Sequence, residues 1–313
     1  MNDFSNPQVK AKTINSTNVS SNVVSEFIIL GFPSLQGFHV LLFFLLFFIY
    51  IFTISGNGLI FILVTLEQRL HTPMYFFVSN LSLLDFTSTT VTIPKMLGKF
   101  SMQLDRISFS GCFLQMYLFV SLNAVECYLL SVMAYDRYVA ICSPLHYHSI
   151  MSRQLYIGLA LASWILGFAS PIAMIILALK LPYCGPNVIH HYYCDHPPIL
   201  QLACADTSST SCVIVISYVR IIQSILLITT LDGRRKTFST CASHIVVVNM
   251  YFLPLVFMYI RPKPSYSSDI DSLVAMLYTV LTPMLNPIVY SLRNKDIKDS
   301  MKKHLWGIKD NSQ

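Results

Sequence analysis

Long apolar runs separated by short polar breaks dominate the chain. They fall near residues 38–66, 73–97, 112–135, 156–179, 212–231, 238–260 and 270–292. Each is close to the ~20 residues a helix needs to cross the hydrocarbon core of a bilayer. Hydrocarbon offers backbone polar groups no partner, so runs of this length are predicted as α-helices. The pattern predicts an all-α membrane protein, a bundle of seven transmembrane helices whose two ends lie on opposite sides. Beyond the last run, Ile297, Met301, Leu305 and Trp306 recur among lysines. That spacing predicts a short amphipathic helix over 294–306, lying on the membrane surface.

The connecting segments orient this bundle. Arg69, Arg153, Arg234, Arg235, Lys236, Arg293, Lys295, Lys298, Lys302 and Lys303 fall on one side. The other side holds Lys10, Lys12, Lys99, Arg106, Lys180, Arg261 and Lys263. The positive-inside rule then predicts a multi-pass cell-membrane protein with its N-terminus extracellular and its C-terminus cytoplasmic. Composition agrees: 54% of the 313 residues are hydrophobic and 12% charged, where a soluble domain carries roughly 25%. The net charge of +6 is accounted for by contact with inner-leaflet lipids, so no nucleic-acid partner is expected. Three regions follow: an extracellular tail at 1–37, a membrane domain at 38–292 and a cytoplasmic tail at 293–313. The first tail contains no basic-then-apolar segment with a cleavage site, so no removable signal peptide is expected. It does carry two N-glycosylation sequons, at Asn15 and Asn18.

Cysteine placement fits that topology. Cys112 opens the third run on the outer side, and Cys184, Cys194 and Cys204 lie in the long outer loop, an oxidising compartment. Four cysteines allow three pairings, which spacing does not resolve. Cys127, Cys142, Cys212 and Cys241 read as small hydrophobes.

Charge inside the apolar runs carries more information. Asp85 and Glu126 sit deep in the second and third. Burying both as anions is prohibitive, so each must be protonated, hydrogen-bonded or bridged by a cation, with Asn57 and Asn286 as polar neighbours. Asp136–Arg137 closes the third run, and Asn286-Pro287 interrupts the seventh. Proline removes one backbone donor and clashes with the carbonyl four residues back, so a kink is predicted there. Tyr290 follows three residues later, on nearly the same face.

Taken in order, the motifs are specific. They are Gly56-Asn57, Leu70-His71-Thr72-Pro73-Met74-Tyr75, Met133-Ala134-Tyr135-Asp136-Arg137-Tyr138 and Ser143-Pro144-Leu145-His146-Tyr147. Ser217-Tyr218, Lys236 to His244 and Pro283 to Asn294 follow. This series closely resembles the odorant receptors, a branch of the seven-helix G-protein-coupled receptors, over about residues 25–300. The Ser291-Leu292-Arg293-Asn294 ending resembles their land-vertebrate type. The resemblance implies disulfides Cys112–Cys194 and Cys184–Cys204. It implies a G-protein switch built from Asp136, Arg137, Tyr138, Tyr218, Asn286, Pro287 and Tyr290, and a sodium ion as candidate ligand of Asp85 and Glu126. It further implies a pocket for a small volatile odorant in the outer half of the bundle. Candidate linings are Met116, Phe119, Val120 and Asn123 on the third helix, Phe252, Val256 and Tyr259 on the sixth, and Ala275 and Thr279 on the seventh. The expected partners are that odorant, membrane lipids and a heterotrimeric stimulatory G-protein that raises cyclic AMP; no other cofactor is expected.

His190, His191, Cys194, Asp195 and His196 have metal-ligating side chains, but the resemblance gives Cys194 to a disulfide. A transporter would show repeated halves, which the chain lacks. An enzyme would need a nucleophile–base arrangement, and none stands outside these motifs.

One departure concerns the fifth span. Only twelve residues, Ala205 to Ile216, separate Cys204 from Ser217, roughly fifteen short of the family pattern, or ~22 Å of helix. Spanning with 212–231 puts Arg220 near the membrane centre, at a cost of about 2.5–3.5 kcal/mol. Shifting Arg220 to the inner face drags the polar run Asp206–Ser211 into the membrane. A shortened fifth helix is therefore expected, and with it the alternative of a non-productive or ectopically expressed variant. Inserting about fifteen apolar residues after Thr210 should raise surface expression and ligand response. An unmodified chain that signals as well as the lengthened one would refute the shortening.

Overall fold

The computed structural model describes residues 24–102, 104–184, 187–205, 246–254, 257, 268–293 and 295–306. The fifth span, with Tyr218, Arg220 and the Asp206–Ser211 run, lies outside the described residues, as do Asn15, Asn18, Val256 and Tyr259.

Where they are described, the predicted apolar runs fold as helices. The first is His39–Leu66, the second Pro73–Met102 and the third Phe109–Cys142. Pro73 opens the second helix, where its missing N–H would have had no intrahelical partner. The third is longest, at 34 residues, or about 50 Å at 1.5 Å per residue, so it extends beyond the membrane core. Ser108 starts it, its Oγ accepting from Gly111 N at 3.1 Å. The fourth span runs from Arg153 to Ala169 and, after a break at Ser170-Pro171, from Ile172 to Leu179. Helical residues 246–254 belong to the sixth. The seventh comprises Ser268–Met276, a π-helical turn at Leu277–Leu281, and Thr282–Arg293. Lys295–Trp306 forms the amphipathic eighth helix.

Four of these helices are long and apolar enough to cross a membrane, among the described residues. Their burial separates rim from centre. In its most apolar window the first helix is 11% buried and the third 61%. Val40, Leu41, Phe44 and Phe48 accordingly face outward from the first helix, as lipid contact requires. Nearest approach comes where side chains are smallest. A Cβ on Gly167 of the fourth helix would lie 2.7 Å from Val125 N and 2.9 Å from Val125 Cα. Trp164, one turn earlier, donates its Nε1–H to Asn80 Oδ1 at 3.1 Å. The third and fourth helices thus meet backbone to side chain, the kind of contact that small residues permit in membranes.

The outer end is capped by a small sheet, an element that the apolar pattern does not predict. Strand β1 (Glu26–Ile29) lies between β2 (Arg106–Ser108), antiparallel, and β3 (Val188–Ile189), parallel. Phe27 pairs with Ile107 and Ile28 with Val188. The end of the predicted N-terminal tail is therefore structural: Phe27, Ile29 and Phe32 are buried. Gly31 follows at φ 66°, in the left-handed region that glycine adopts without a steric cost. At the other end, the eighth helix is held to the second helix and to the segment that leads into it. Tyr75 donates to Asp296 Oδ2 at 2.8 Å, and Lys303 Nζ pairs with Glu67 at 2.9 Å.

Gly167→Ala should lower thermal stability by about 1–3 kcal/mol, because backbone at Val125 cannot yield as a flexible side chain would. Gly158→Ala, whose Cβ would meet nothing within 4 Å, should be neutral or stabilising. Thermal melts of the two purified variants compare these outcomes directly.

Candidate functional site

At the end of the third helix, Asp136 is fully buried. It accepts from Arg137 Nε at 2.9 Å and also from Nη2. Its other oxygen accepts from the Tyr147 hydroxyl at 2.6 Å. Tyr147 begins a short helix just after the turn Pro144–His146. Burial, and then the bond to Asp136, push its phenol far above the usual range, so it remains a donor. Tyr147 was not among the predicted switch residues. Its signal in the sequence was position alone, in the Ser143-Pro144-Leu145-His146-Tyr147 motif. Tyr138 is partly buried and packs on the main core.

The seventh helix shows what proline does to its neighbours. Pro287 has no N–H, so the carbonyl of Pro283 lacks its ordinary donor. Asn57 of the first helix supplies one: its Nδ2 donates to Pro283 O and to Thr53 O, each at 3.0 Å. Gly56 permits the approach, since a Cβ there would meet Pro287 at 3.2 Å. Asn286 donates to Asp85 Oδ2 at 2.7 Å. Tyr290 is buried, its hydroxyl unpartnered among the described residues, and it lies within electrostatic reach of Asp85, Glu126 and Arg137. Glu126 lies within reach of Asp85 as well.

Four buried oxygens in this region have no hydrogen-bond partner among the described residues: Asp85 Oδ1, Glu126 Oε1, Asn57 Oδ1 and Asn286 Oδ1. Carboxylate and amide oxygens are the donors that hard cations take. No group of three or more His, Cys, Asp or Glu that could hold a metal ion occurs among the described residues. Oxygen donors of this kind suit a hard cation better than a transition metal.

The outer half is organised by the long loop. Cys112–Cys194 ties that loop to the third helix, with Cα atoms 5.4 Å apart, and Cys184–Cys204 closes it on itself at 6.0 Å. Gln115 reinforces the first bond: its Oε1 accepts from Cys194 N at 3.1 Å, while its Nε2 donates to Val91 O at 2.9 Å. Anchored there, Tyr192 and Tyr193 are buried in the bundle mouth. The Tyr192 hydroxyl lies 2.6 Å from Thr279 Oγ1, and its ring stacks on Phe32 at 5.7 Å. The Tyr193 ring lies 4.6 Å from that of Phe119, and its hydroxyl donates to Asp195 at 3.2 Å.

The structure brings Phe119, Val120, Phe252 and Ala275 into one apolar cluster with Tyr192, Tyr193, Tyr251 and Tyr278. Met116 belongs instead to the cluster beneath the sheet, with Phe27, Met174 and Tyr183; Val120 touches both. Asn123 Oδ1 accepts from Tyr251 OH at 3.1 Å, joining the third helix to the sixth. Tyr192, Tyr193 and Tyr251 were not predicted. The loop tyrosines had one available signal, their adjacency to Cys194, but a residue's depth in a bundle is not visible in a loop sequence.

A bundle of membrane helices closed at one end by a disulfide-tied loop and carrying an Asp–Arg pair at the other is that of a G-protein-coupled receptor. Within that class, the family model described as "Olfactory receptor" matches residues 46–307. Human Olfactory receptor 6N1 is 50% identical over 297 residues, covering 90% of this chain and 95% of that protein. Human Olfactory receptor 10G4 is 46% identical over 301 residues (91% and 96%), and mouse Olfactory receptor 5G26 is 44% identical over 297 (90% and 93%). The chain belongs to the olfactory receptor family. It is a multi-pass membrane receptor with the seven-helix fold, and not an enzyme.

The loop's ionisable groups make it sensitive to acid. Burial pushes His191 down to about 3 and His196 down to about 4, and pushes Asp195 up to about 6. Between pH 6 and pH 4 the opened loop binds a proton on each histidine, while the packed loop binds one on Asp195. The open form thus holds about one proton more, and packing weakens as pH falls, by roughly 1 kcal/mol per pH unit. Hydrogen exchange across 188–205 should be faster at pH 4.5 than at pH 7, after correction for intrinsic rates. Replacing both histidines by phenylalanine should reverse the trend, leaving Asp195 alone to tighten the loop in acid.

Proposed function

We propose that this chain binds a small volatile odorant in the outer half of its bundle and activates a stimulatory G-protein, raising cyclic AMP. The N-terminus is extracellular and glycosylated at Asn15 and Asn18, and the C-terminus is cytoplasmic. The odorant contacts Phe119, Val120, Asn123, Phe252, Ala275 and Thr279, with Met116, Val256 and Tyr259 as the remaining candidate contacts. Apolar linings with few polar groups suit such ligands. The region boundaries are those expected from sequence, 1–37, 38–292 and 293–313.

The observation that carries this reading is the arginine at the inner end of the third helix. Arg137 is held by a buried Asp136 that also binds Tyr147. That arrangement suits a resting state: opening it frees a guanidinium, always charged and with five donors, to meet a partner protein. Asn286, Pro287 and Tyr290 form the hinge beside it, with Tyr218 as a holder of the open state. A sodium ion would be held by Asp85 and Glu126 with the amide oxygens of Asn57 and Asn286. Its charge would offset the two carboxylates.

A second reading, a non-productive or ectopic variant, is favoured by one observation, the short polar segment between Cys204 and Ser217. Arg137→Ala should abolish cyclic AMP responses while leaving odorant binding intact, when compared at equal surface level. Unchanged signalling would remove Arg137 from the switch. A wild-type chain silent to every odorant, despite normal surface display, would favour the second reading.

A further inference from the structure

Most polar groups around the proposed odorant pocket are already engaged with one another. Thr279 Oγ1 donates to Ala275 O at 2.8 Å, so the Tyr192 hydroxyl, 2.6 Å away, donates to Thr279. The Tyr193 hydroxyl donates to Asp195 Oδ2. The Tyr251 hydroxyl donates to Asn123, 3.1 Å from Oδ1 and 3.2 Å from the backbone oxygen, and accepts from Cys127 Sγ at 3.8 Å. Each of these hydroxyl hydrogens is directed at a protein acceptor.

Asn123 is different, because its amide carries two hydrogens. One goes to Phe119 O at 3.0 Å, one turn earlier. A backbone carbonyl only accepts, so the amide nitrogen faces Phe119 and Oδ1 faces Tyr251. The second hydrogen has no partner among the described residues. Open space adjoins it. Val120 and Asn123, on one face of the third helix, are partly exposed, whereas Phe119, Leu122, Ala124 and Val125 around them are buried. Val120 packs on the cluster that holds Phe119, Tyr193, Tyr251 and Phe252. In such surroundings an unpaired N–H is less tolerable than a spare lone pair, so the site lacks an acceptor. No Lys or Arg is buried among the described residues, so an anionic odorant would meet no countercharge there.

We propose that Asn123 selects uncharged odorants bearing a carbonyl oxygen (aldehydes, ketones and esters) by donating its second amide hydrogen to that oxygen. Phe119, Val120 and Phe252 hold the hydrocarbon part. The assignment rests on the pocket proposed above for the odorant. A carbonyl takes a hydrogen and brings none. An alcohol brings one, and the acceptors Asn123 Oδ1, Thr279 Oγ1 and Asp195 Oδ2 already hold partners. A hydroxyl hydrogen left unpaired in an apolar site weakens binding.

The full chain would be purified into phosphatidylcholine nanodiscs, and affinities read from the dependence of its thermal midpoint on ligand concentration. The carbonyl probes are octanal, acetophenone and methyl benzoate. Octanol, benzyl alcohol, octane and ethylbenzene are their counterparts, and octanoic acid and octylamine are the charged probes. Carbonyl probes should bind about tenfold tighter than the hydrocarbons of matching skeleton, the ratio that one net hydrogen bond supplies. Asn123→Leu, close in shape, should abolish that difference without weakening the hydrocarbons, and Asn123→Val gives the same reading where Asn123→Leu does not fold. Tyr251→Phe, which leaves the Asn123 bond to Phe119 in place, should keep the preference. Phe119→Trp, which fills the pocket, should block every probe. Equal binding of alcohols, acid or amine would overturn the proposal, as would a preference that survives in Asn123→Leu or a chain that binds no carbonyl probe. Probes blocked by Phe119→Trp but indifferent to the carbonyl would strike this proposal and leave the pocket standing. Probes that bind Phe119→Trp and Asn123→Leu as they bind the unmodified chain would strike both.

Discussion

A missing hydrogen-bond donor organises the centre of this receptor. Pro287 deprives the Pro283 carbonyl of its helical partner, in a medium where water cannot replace it. Asn57 fills that gap from another helix at 3.0 Å, and Gly56 lets the two backbones come close enough. A buried, unsatisfied carbonyl would cost about 1–3 kcal/mol. The first helix, mostly lipid-facing, is thereby pinned to the seventh at the point where the seventh is weakest. Asn286, one residue away, binds Asp85 at 2.7 Å, so the same break in the ladder also engages the second helix. Three helices converge on one irregularity.

The outer half answers a different constraint, that of holding a loop above a mouth it must close. The Cys112–Cys194 bond fixes where the loop crosses the third helix, and strands from three separate segments cover it. Tyr192 then reaches Thr279, inside the π-helical turn of the seventh helix. That turn precedes Asn286-Pro287 in the same helix. The seventh helix thus carries a π-helical turn where the loop grips it and a proline-broken hydrogen-bond ladder where the first and second helices do. Both are sites where a helix can change shape without breaking a regular ladder.

Much of this was legible beforehand. Seven apolar runs, the eighth amphipathic helix, the proline within the seventh helix and the pair Asp136–Arg137 are all features of local sequence, and the motif order identified the family. The cap sheet was not legible, because β1, β2 and β3 are short pieces of unrelated segments with no periodicity of their own. The buried end of the predicted tail belongs to that sheet for the same reason.

What the sequence determined by itself was the solvent of each segment: length and polarity decide which stretches can enter lipid. Tertiary structure alone decided which polar groups met. The sequence offers Asn57, Asp85, Asn286 and Tyr147 as costly polar residues; only packing pairs Asn57 with a carbonyl 226 residues away and Tyr147 with Asp136. It likewise placed Met116 under the sheet, apart from the main core that holds Phe119 less than one turn on. Partition into a membrane is a sum over neighbouring residues, whereas hydrogen bonding depends on directions that exist only once helices are packed.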